Sequence, residues 1–264
     1  MHSAIFEVEE SLNAIEFYQH HPEYKPFVGN NFDKYRILQV GESHYIGQGA
    51  KDRMDEFPIT YFDKWWEDPC VKLCEWPDPN PKEGKWGDWY NTRGVVENFI
   101  ANRSTGGYNI FANMIRSFDC VYGNGQVYMD VDARRRYHYF AFMNFFQMPA
   151  LYNGVKLWDS LYISAKKIGD TSLAGNMFDL AAKKSAEVLD QVIETIKPNA
   201  IVISSREAGT AYEKYGKYRG NEVGPAIIHT VHPCCSWWNR KIRRYNGRTG
   251  REYFEDELRA LHLK

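Results

Sequence analysis

Four short apolar runs, separated by longer stretches of helical periodicity, constrain the fold of this chain most. The runs occupy residues 36–40, 137–146, 200–205 and 226–231. They are predominantly apolar and do not alternate regularly between apolar and polar residues, which is typical of parallel strands buried on both faces. Helical periodicity is found at 3–20, 93–119, 170–196 and 206–217. Because parallel strands need long crossover connections, this alternation predicts an α/β domain with helices on both faces of a parallel sheet.

The 264 residues are expected to form one domain, 1–264, with a loop-rich insertion at about 46–92. The insertion carries five tryptophans interleaved with five prolines. Proline removes a backbone donor and restricts its neighbours, so this density disfavours regular structure. The tryptophans predict a packed lid, whose function the sequence leaves open.

Composition and charge exclude several classes of protein. A formal net charge of −1 gives no overall attraction for polyanions, so a nucleic-acid site would require a local basic patch. The sequence contains no signal-peptide pattern and no apolar stretch of about 20 residues, so we expect a cytoplasmic protein without membrane contact. Five scattered cysteines are expected to be reduced thiols.

Polar side chains follow the first and the last of the four runs. Glu42, Ser43 and His44 come directly after Gly41, which we expect to permit a sharp exit from the first strand. His232 follows the fourth run, about 190 residues later, at a turn-forming Pro233. Since ligands of open α/β sheets bind at the carboxyl ends of the strands, both turns are predicted to meet in one pocket.

The order of four motifs resembles the uracil-DNA glycosylase superfamily. The motifs are Gly41-Glu-Ser-His-Tyr45, Met143-Asn-Phe145, the stretch from Leu189 through Pro198 to Val202 followed by Ala208, and His232-Pro-Cys234 with Arg240 downstream. The resemblance implies a three-layer αβα sandwich on a four-stranded parallel sheet of order 2-1-3-4. It covers roughly residues 36–50 and 137–244, in the family's order.

The sequence departs from the family at three motif positions. His44 stands where the family usually has proline, Cys234 where it has serine, and Ser43 where several branches have a water-orienting Asp or Asn. Glu42 matches the G-E-A-P-G branch, whose members bind an iron–sulfur cluster through cysteines. Because this chain has no cysteine before the first motif, we expect no cluster and no other cofactor.

The resemblance implies a hydrolase that cleaves the N-glycosidic bond of uracil, or of another deaminated or modified base, flipped from DNA. Such a reaction needs a carboxylate near the sugar cation and a donor for the departing base. Glu42 would be the general base or electrostatic partner, and His232 the donor. Base-binding residues would be Ser43, Tyr45 as a wall against a 5-methyl group, Asn144 as reader of the base edge, and Phe57 or Tyr61 as a stacking ring.

A basic and aromatic segment directly follows the histidine turn. It contains Arg240, Lys241, Arg243 and Arg244 beside Trp237 and Trp238. Cations next to rings suit phosphate contacts and base stacking, and the resemblance implies that this loop wedges into DNA. The expected partner is therefore single- or double-stranded DNA carrying a damaged or modified base, bound by a monomer.

Other interpretations remain open at this point. The chain could be a catalytically silent relative that binds nucleic acid or a nucleotide in the same cleft, or a hydrolase of free nucleosides. Glu42 could be a solvated loop acid, Asn144 a strand-end cap and His229 a core residue. A metal site built from His229, His232, Cys234 and Cys235 is not expected, because the cysteines are adjacent and the C-x₂-C spacing is absent.

Overall fold

The computed structural model describes residues 2–45, 64–66, 91–101, 109–123, 134–150, 155–220 and 223–263. The helices are α1 (His2–Asn13), α2 (Glu16–His20), α3 (Thr92–Ile100), α4 (Asn109–Tyr122), α5 (Leu157–Lys167), α6 (Ser172–Ile196), α7 (Arg206–Tyr215) and α8 (Gly250–Ala260). The strands are β1 (Phe27–Val28), β2 (Ile37–Tyr45), β3 (Phe140–Ala150), β4 (Ala200–Ile203) and β5 (Ala226–His229). Helices and strands alternate through the described part of the chain, which confirms the α/β prediction.

The strands form one mixed sheet in the order β1-β3-β2-β4-β5. Strands β3, β2, β4 and β5 are parallel neighbours, and β1 pairs antiparallel with β3. The predicted four-stranded sheet of order 2-1-3-4 is therefore corrected to five strands. The additional strand is only two residues long, too short to produce a recognisable apolar run, and it lies at the sheet edge.

Helices cover both faces of the sheet. Leu38 and Val40 of β2 belong to an apolar core that includes buried residues of α5, α6 and α7. Ile37 of the same strand belongs to a second core, built with α3, α4 and α8. Because side chains alternate across a strand, an uninterrupted apolar run supplies both cores at once. This is why the strands lack a period of two in the sequence.

The structure corrects several predicted boundaries, above all at the first motif. The parallel ladder between β2 and β3 continues through Gly41 opposite Asn144 and Ser43 opposite Phe146, so residues 41–45 form strand and not a turn. The ladder satisfies the backbone groups there, which a turn would leave unpaired. Strand β3 runs to Ala150 instead of ending near Asn144, and residues 136–139 before it are a 3₁₀ helix. The N-terminal helix divides into α1 and α2, and β5 ends at His229.

Most of the predicted insertion at 46–92 lies outside the described residues, but one short 3₁₀ helix, Lys64–Trp66, is described. Trp65 is only 1% exposed. Its indole Nε1 donates to the carbonyl of Gln147 at 2.8 Å, and its ring stacks on His21 with centroids 4.1 Å apart. At this point a tryptophan does anchor the segment, in agreement with the sequence.

None of the helices in the described ranges is long and apolar enough to cross a membrane.

Candidate functional site

A cavity of about 170 Å³ lies where the carboxyl-terminal half of β2 and the first half of β3 meet the first turns of α3 and α4. It is lined by Glu42, Ser43, His44, Tyr45, Thr92, Val95, Ile110, Phe111, Phe142, Asn144 and His232. Every predicted catalytic and base-binding residue within the described ranges therefore lines one cavity. Phe57, and its alternative Tyr61, lie outside the described residues.

The Glu42 carboxylate is held in place by a neighbouring strand end. The Ser205 hydroxyl donates to Oε2 of Glu42 at 2.6 Å, and the hydroxyl oxygen of Ser205 itself accepts from the backbone N–H of Ala208 at 3.3 Å. Ser205 is the N-cap residue of α7, directly after β4. One hydroxyl thus caps a helix and orients the carboxylate, so Glu42 is not a freely solvated loop acid.

His232 is arranged as a neutral hydrogen-bond donor. Its Nδ1 accepts from the backbone N–H of Cys234 at 3.2 Å, so the single proton of the neutral ring resides on Nε2. Burial lowers the pKa of His232, which favours that neutral form. The backbone N–H of Cys235 also donates to the His232 carbonyl at 2.9 Å, closing the turn that holds the ring. An N–H donor on a residue that lines the cavity suits a carbonyl oxygen or a developing anion.

Asn144 lies against the backbone of β2. A Cβ built on Gly41 would come within 2.2 Å of Asn144 Oδ1, so glycine is required for the amide to occupy this position. The Nδ2 atom of Asn144 lies 3.4 Å from Nδ1 of His44. The amide is therefore placed by contacts on two sides, beyond what a strand-end cap requires.

Ser43 and His44 bring buried polar atoms to the cavity. The Ser43 hydroxyl and the Nε2 atom of His44 are buried and have no hydrogen-bond partner among the described residues. Burial lowers the pKa of His44 to about 3, so its ring is neutral at physiological pH. Buried polar atoms without partners are rare in proteins and are expected where a ligand or water completes the bonding.

Tyr45 keeps its proton at neutral pH. Burial, followed by the charges of Glu42 and Glu207, raises the pKa of the Tyr45 hydroxyl to about 12. The side chain therefore offers the cavity an apolar ring with an uncharged hydroxyl, consistent with the predicted wall.

The sequence did not identify the apolar walls of the cavity or the partner of Glu42. The apolar walls lie within segments that the sequence predicts as helices and a strand, but periodicity cannot tell which turn of a helix faces a cavity; the wall residues are Val95, Ile110, Phe111 and Phe142. Ser205 carried a readable signal, since a serine directly before a helical stretch is an N-cap pattern. Its bond to Glu42 joins the region after β4 to a position within β2 about 160 residues away, and such a contact is not readable from the pattern.

The predicted DNA-binding residues form an exposed cluster after the histidine turn. Arg240, Lys241, Arg243 and Arg244 are all exposed, and none of them forms an ion pair with a carboxylate among the described residues. Trp237 is 52% exposed, whereas its neighbour Trp238 is buried in the core of the α8 side. One tryptophan anchors the segment while the other, together with the cations, faces solvent.

The cysteine and histidine side chains near β5 do not assemble into a metal-binding group. In the part of the chain that is described, no three His, Cys, Asp or Glu side chains are placed to hold a metal ion. Cys120, Cys234 and Cys235 are free thiols, while Cys70 and Cys74 lie outside the described ranges. Burial, followed by the neighbouring Cys235, raises the pKa of the Cys234 thiol to about 11, so it is not an activated nucleophile.

The chain matches no protein-family model, no curated protein and no solved structure.

Proposed function

We propose that the protein is a DNA glycosylase-like hydrolase that cleaves the N-glycosidic bond of uracil, or of another deaminated or modified base, flipped into the cavity. One observation carries this proposal: Glu42 and His232, from opposite ends of the sequence, line the same cavity as Asn144. A carboxylate, a neutral histidine donor and an amide in one partly apolar cavity provide the groups that this reaction needs.

Glu42 and His232 would act on opposite sides of the bond that is cleaved. Breaking the bond between C1′ and the base nitrogen leaves positive charge on the sugar and an electron pair on the base. His232 Nε2–H would donate to a carbonyl oxygen of the departing base, and the Glu42 carboxylate would stabilise the sugar cation. Water would then bond to C1′ and transfer a proton to Glu42, while the base anion takes a proton from solvent.

Base selection would depend on the remaining cavity residues. The Asn144 amide offers a donor and an acceptor to the edge of a base, and Phe111 and Phe142 supply apolar walls suited to a flat ring. Ser43 adds a hydroxyl with no other hydrogen-bond partner among the described residues. Uracil is the default substrate that the motif resemblance implies, and the Ser43 and His44 departures allow a different modified base.

Two features outside the cavity support a DNA substrate. The four adjacent parallel strands, with helices on both faces, agree with the three-layer sandwich that the resemblance implies, β1 being an addition at the edge. The exposed cluster of Arg240, Lys241, Arg243, Arg244 and Trp237 begins a few residues after His232, where it could contact phosphates flanking a flipped base.

The test is abasic-site formation in single- and double-stranded oligonucleotides that each carry one uracil, hypoxanthine, xanthine or modified pyrimidine. We expect one of these bases to be released by the wild type and not by Glu42→Gln or His232→Ala. Matched controls are Glu213→Gln and His229→Ala, because this nearby pair does not line the cavity. Both control variants should retain activity.

Two other outcomes would refute the proposed reaction. Salt-sensitive DNA binding without release of any base by the wild type would indicate the silent relative. Release of bases from free nucleosides, unchanged by Arg240→Ala or Arg244→Ala, would indicate a nucleoside hydrolase.

A further inference from the structure

An asparagine side chain alone cannot distinguish the two kinds of base edge. A lactam edge has a ring N–H beside a carbonyl, as in uracil and hypoxanthine, whereas an amidine edge has a ring nitrogen beside an amino group, as in cytosine and adenine. Rotating the Asn144 amide by half a turn exchanges Oδ1 and Nδ2, so the same residue can complement either edge. Discrimination requires a second group that holds the amide in one orientation.

His44 makes the contact that can hold it. Its Nδ1 lies 3.4 Å from Nδ2 of Asn144. The imidazole is 2% exposed and its centroid is 4.1 Å from that of Tyr24, so the ring has little freedom to turn away. A neutral imidazole has one donor and one acceptor nitrogen, and with the amide nitrogen of Asn144 facing it, Nδ1 is the acceptor and Nε2 carries the proton.

The other side of the amide favours the same orientation. The position where a Cβ of Gly41 would lie is 2.2 Å from Oδ1, so a Cα hydrogen of the glycine points at this oxygen. A Cα–H contact is weakly favourable for a carbonyl oxygen and unfavourable for an amide NH₂. Turning the amide over would place its two N–H donors against the glycine hydrogen, and it would keep a bond to His44 only if the imidazole moved its proton to Nδ1.

We propose that His44 is a positioning residue that fixes the orientation of the Asn144 amide and thereby restricts the cavity to bases with a lactam edge. The substrate consequence rests on the proposed function, whereas the orientation itself is a property of the free protein. With Nδ2 anchored on His44, Oδ1 and the second Nδ2 hydrogen remain for a base. Oδ1 would accept from a ring N–H of the base, and the remaining Nδ2 hydrogen would donate to the adjacent carbonyl oxygen.

The orientation is tested first by NMR of the free ¹⁵N-labelled protein. The amide signals of Asn144 are assigned by their loss in Asn144→Asp, and the ring nitrogens of His44 by their loss in His44→Phe. We expect an unprotonated Nδ1 and a protonated Nε2 on His44. In His44→Phe, which keeps an aromatic ring against Tyr24, exchange of the Asn144 amide hydrogens should be accelerated about tenfold. In His44→Asn, which restores a polar atom near Nδ1, exchange should slow again.

Base specificity is tested by the ratio of the rates at which uracil and cytosine are released from the same position of an oligonucleotide. We expect His44→Phe to lower this ratio by about tenfold, which corresponds to roughly 1.4 kcal/mol, and His44→Asn to restore part of it. The matched control is His21→Phe, since His21 is equally buried, stacks on Trp65 and does not line the cavity. If His44→Phe does not fold, His44→Gln makes the same comparison, because its amide reaches the position of Nε2 and not of Nδ1.

The outcomes separate this inference from the proposed function. A protonated Nδ1, or amide exchange unchanged in His44→Phe, would overturn the positioning role whatever the protein cleaves. An unchanged uracil-to-cytosine ratio in an active His44→Phe enzyme would also overturn it. If the NMR results agree but the wild type releases no base, the orientation stands and the glycosylase proposal fails.

Discussion

Replacing Gly41 by alanine tests the close approach on which the geometry of the cavity depends. The new Cβ would lie 2.2 Å from Asn144 Oδ1 and 3.3 Å from Cζ of Phe142, and Cβ contacts below 3.0 Å are essentially never observed. Asn144 would have to move by about 1 Å or rotate, which breaks its contact with His44. Phe142 is buried and blocks the other direction of relief.

The expected loss of stability follows from these contacts. Overpacking a well-packed site costs about 1–3 kcal/mol of folding free energy. Loss of the hydrogen bond to His44 accounts for about 1 kcal/mol of this, since Asn144 is half-buried and water can partly replace the lost partner. Gly175 provides a matched control, since it lies within α6 and no atom outside its own helix would meet an added Cβ within 4 Å. Gly175→Ala should stabilise the protein by about 0.5–1 kcal/mol through helix propensity.

Urea denaturation of the wild type and both variants measures these changes in the free energy of unfolding. The two alanine variants should shift the denaturation midpoint in opposite directions with unchanged slope, and differ by roughly 1.5–4 kcal/mol. A Gly41→Ala protein as stable as the wild type would show that Asn144 does not pack against Gly41. That result would also remove one of the two supports for the amide orientation.

Three further changes test other contacts by the same denaturation measurement. Ser205→Ala should lose about 1–2 kcal/mol because it removes an N-cap and the bond to Glu42, whereas Ser205→Thr, which keeps the hydroxyl, should lose much less. Burial lowers the pKa of His44 from 6.5 to about 3. The free energy of unfolding should therefore decrease as the pH is lowered from 6.5 towards 3, by at most about 1.4 kcal/mol per pH unit for this one proton. His44→Phe removes the titrating group and should make the decrease less steep; an equal slope in the variant would contradict the assignment. Trp65→Ala should cost about 3–5 kcal/mol because the side chain is fully buried and hydrogen-bonded, and a loss below 1 kcal/mol would contradict its anchoring role.

The sequence predicts the long, strongly periodic elements well. The helix expected at 170–196 is α6, Ser172–Ile196, and the apolar run at 200–205 contains β4. In such segments the pattern of burial is repeated often enough that period and length agree. The short β1 was missed because two residues carry no period, and its place in the sheet depends on pairing with β3.

The first motif shows where local reasoning fails. Glycine is common in turns, so the sequence predicts a turn at Gly41, but in the structure Gly41 continues β2 and makes room for Asn144. Both roles use the absence of a Cβ, and only the neighbouring strand decides between them. The sequence shows that a glycine stands at this position, but it does not show that the glycine is needed to make space for Asn144 of β3.

The sequence by itself determined the α/β class, the parallel strands and the residues expected at their carboxyl ends, because these depend on local periodicity and on side-chain chemistry. Only the tertiary structure decided that Glu42 is held by Ser205, that His232 carries its proton on Nε2 and that His44 contacts Asn144. Each of these facts depends on an atom within hydrogen-bonding distance, and two of the three join residues at least 100 positions apart. Such contacts arise when β2 pairs between β3 and β4, and no pattern in the chain records them.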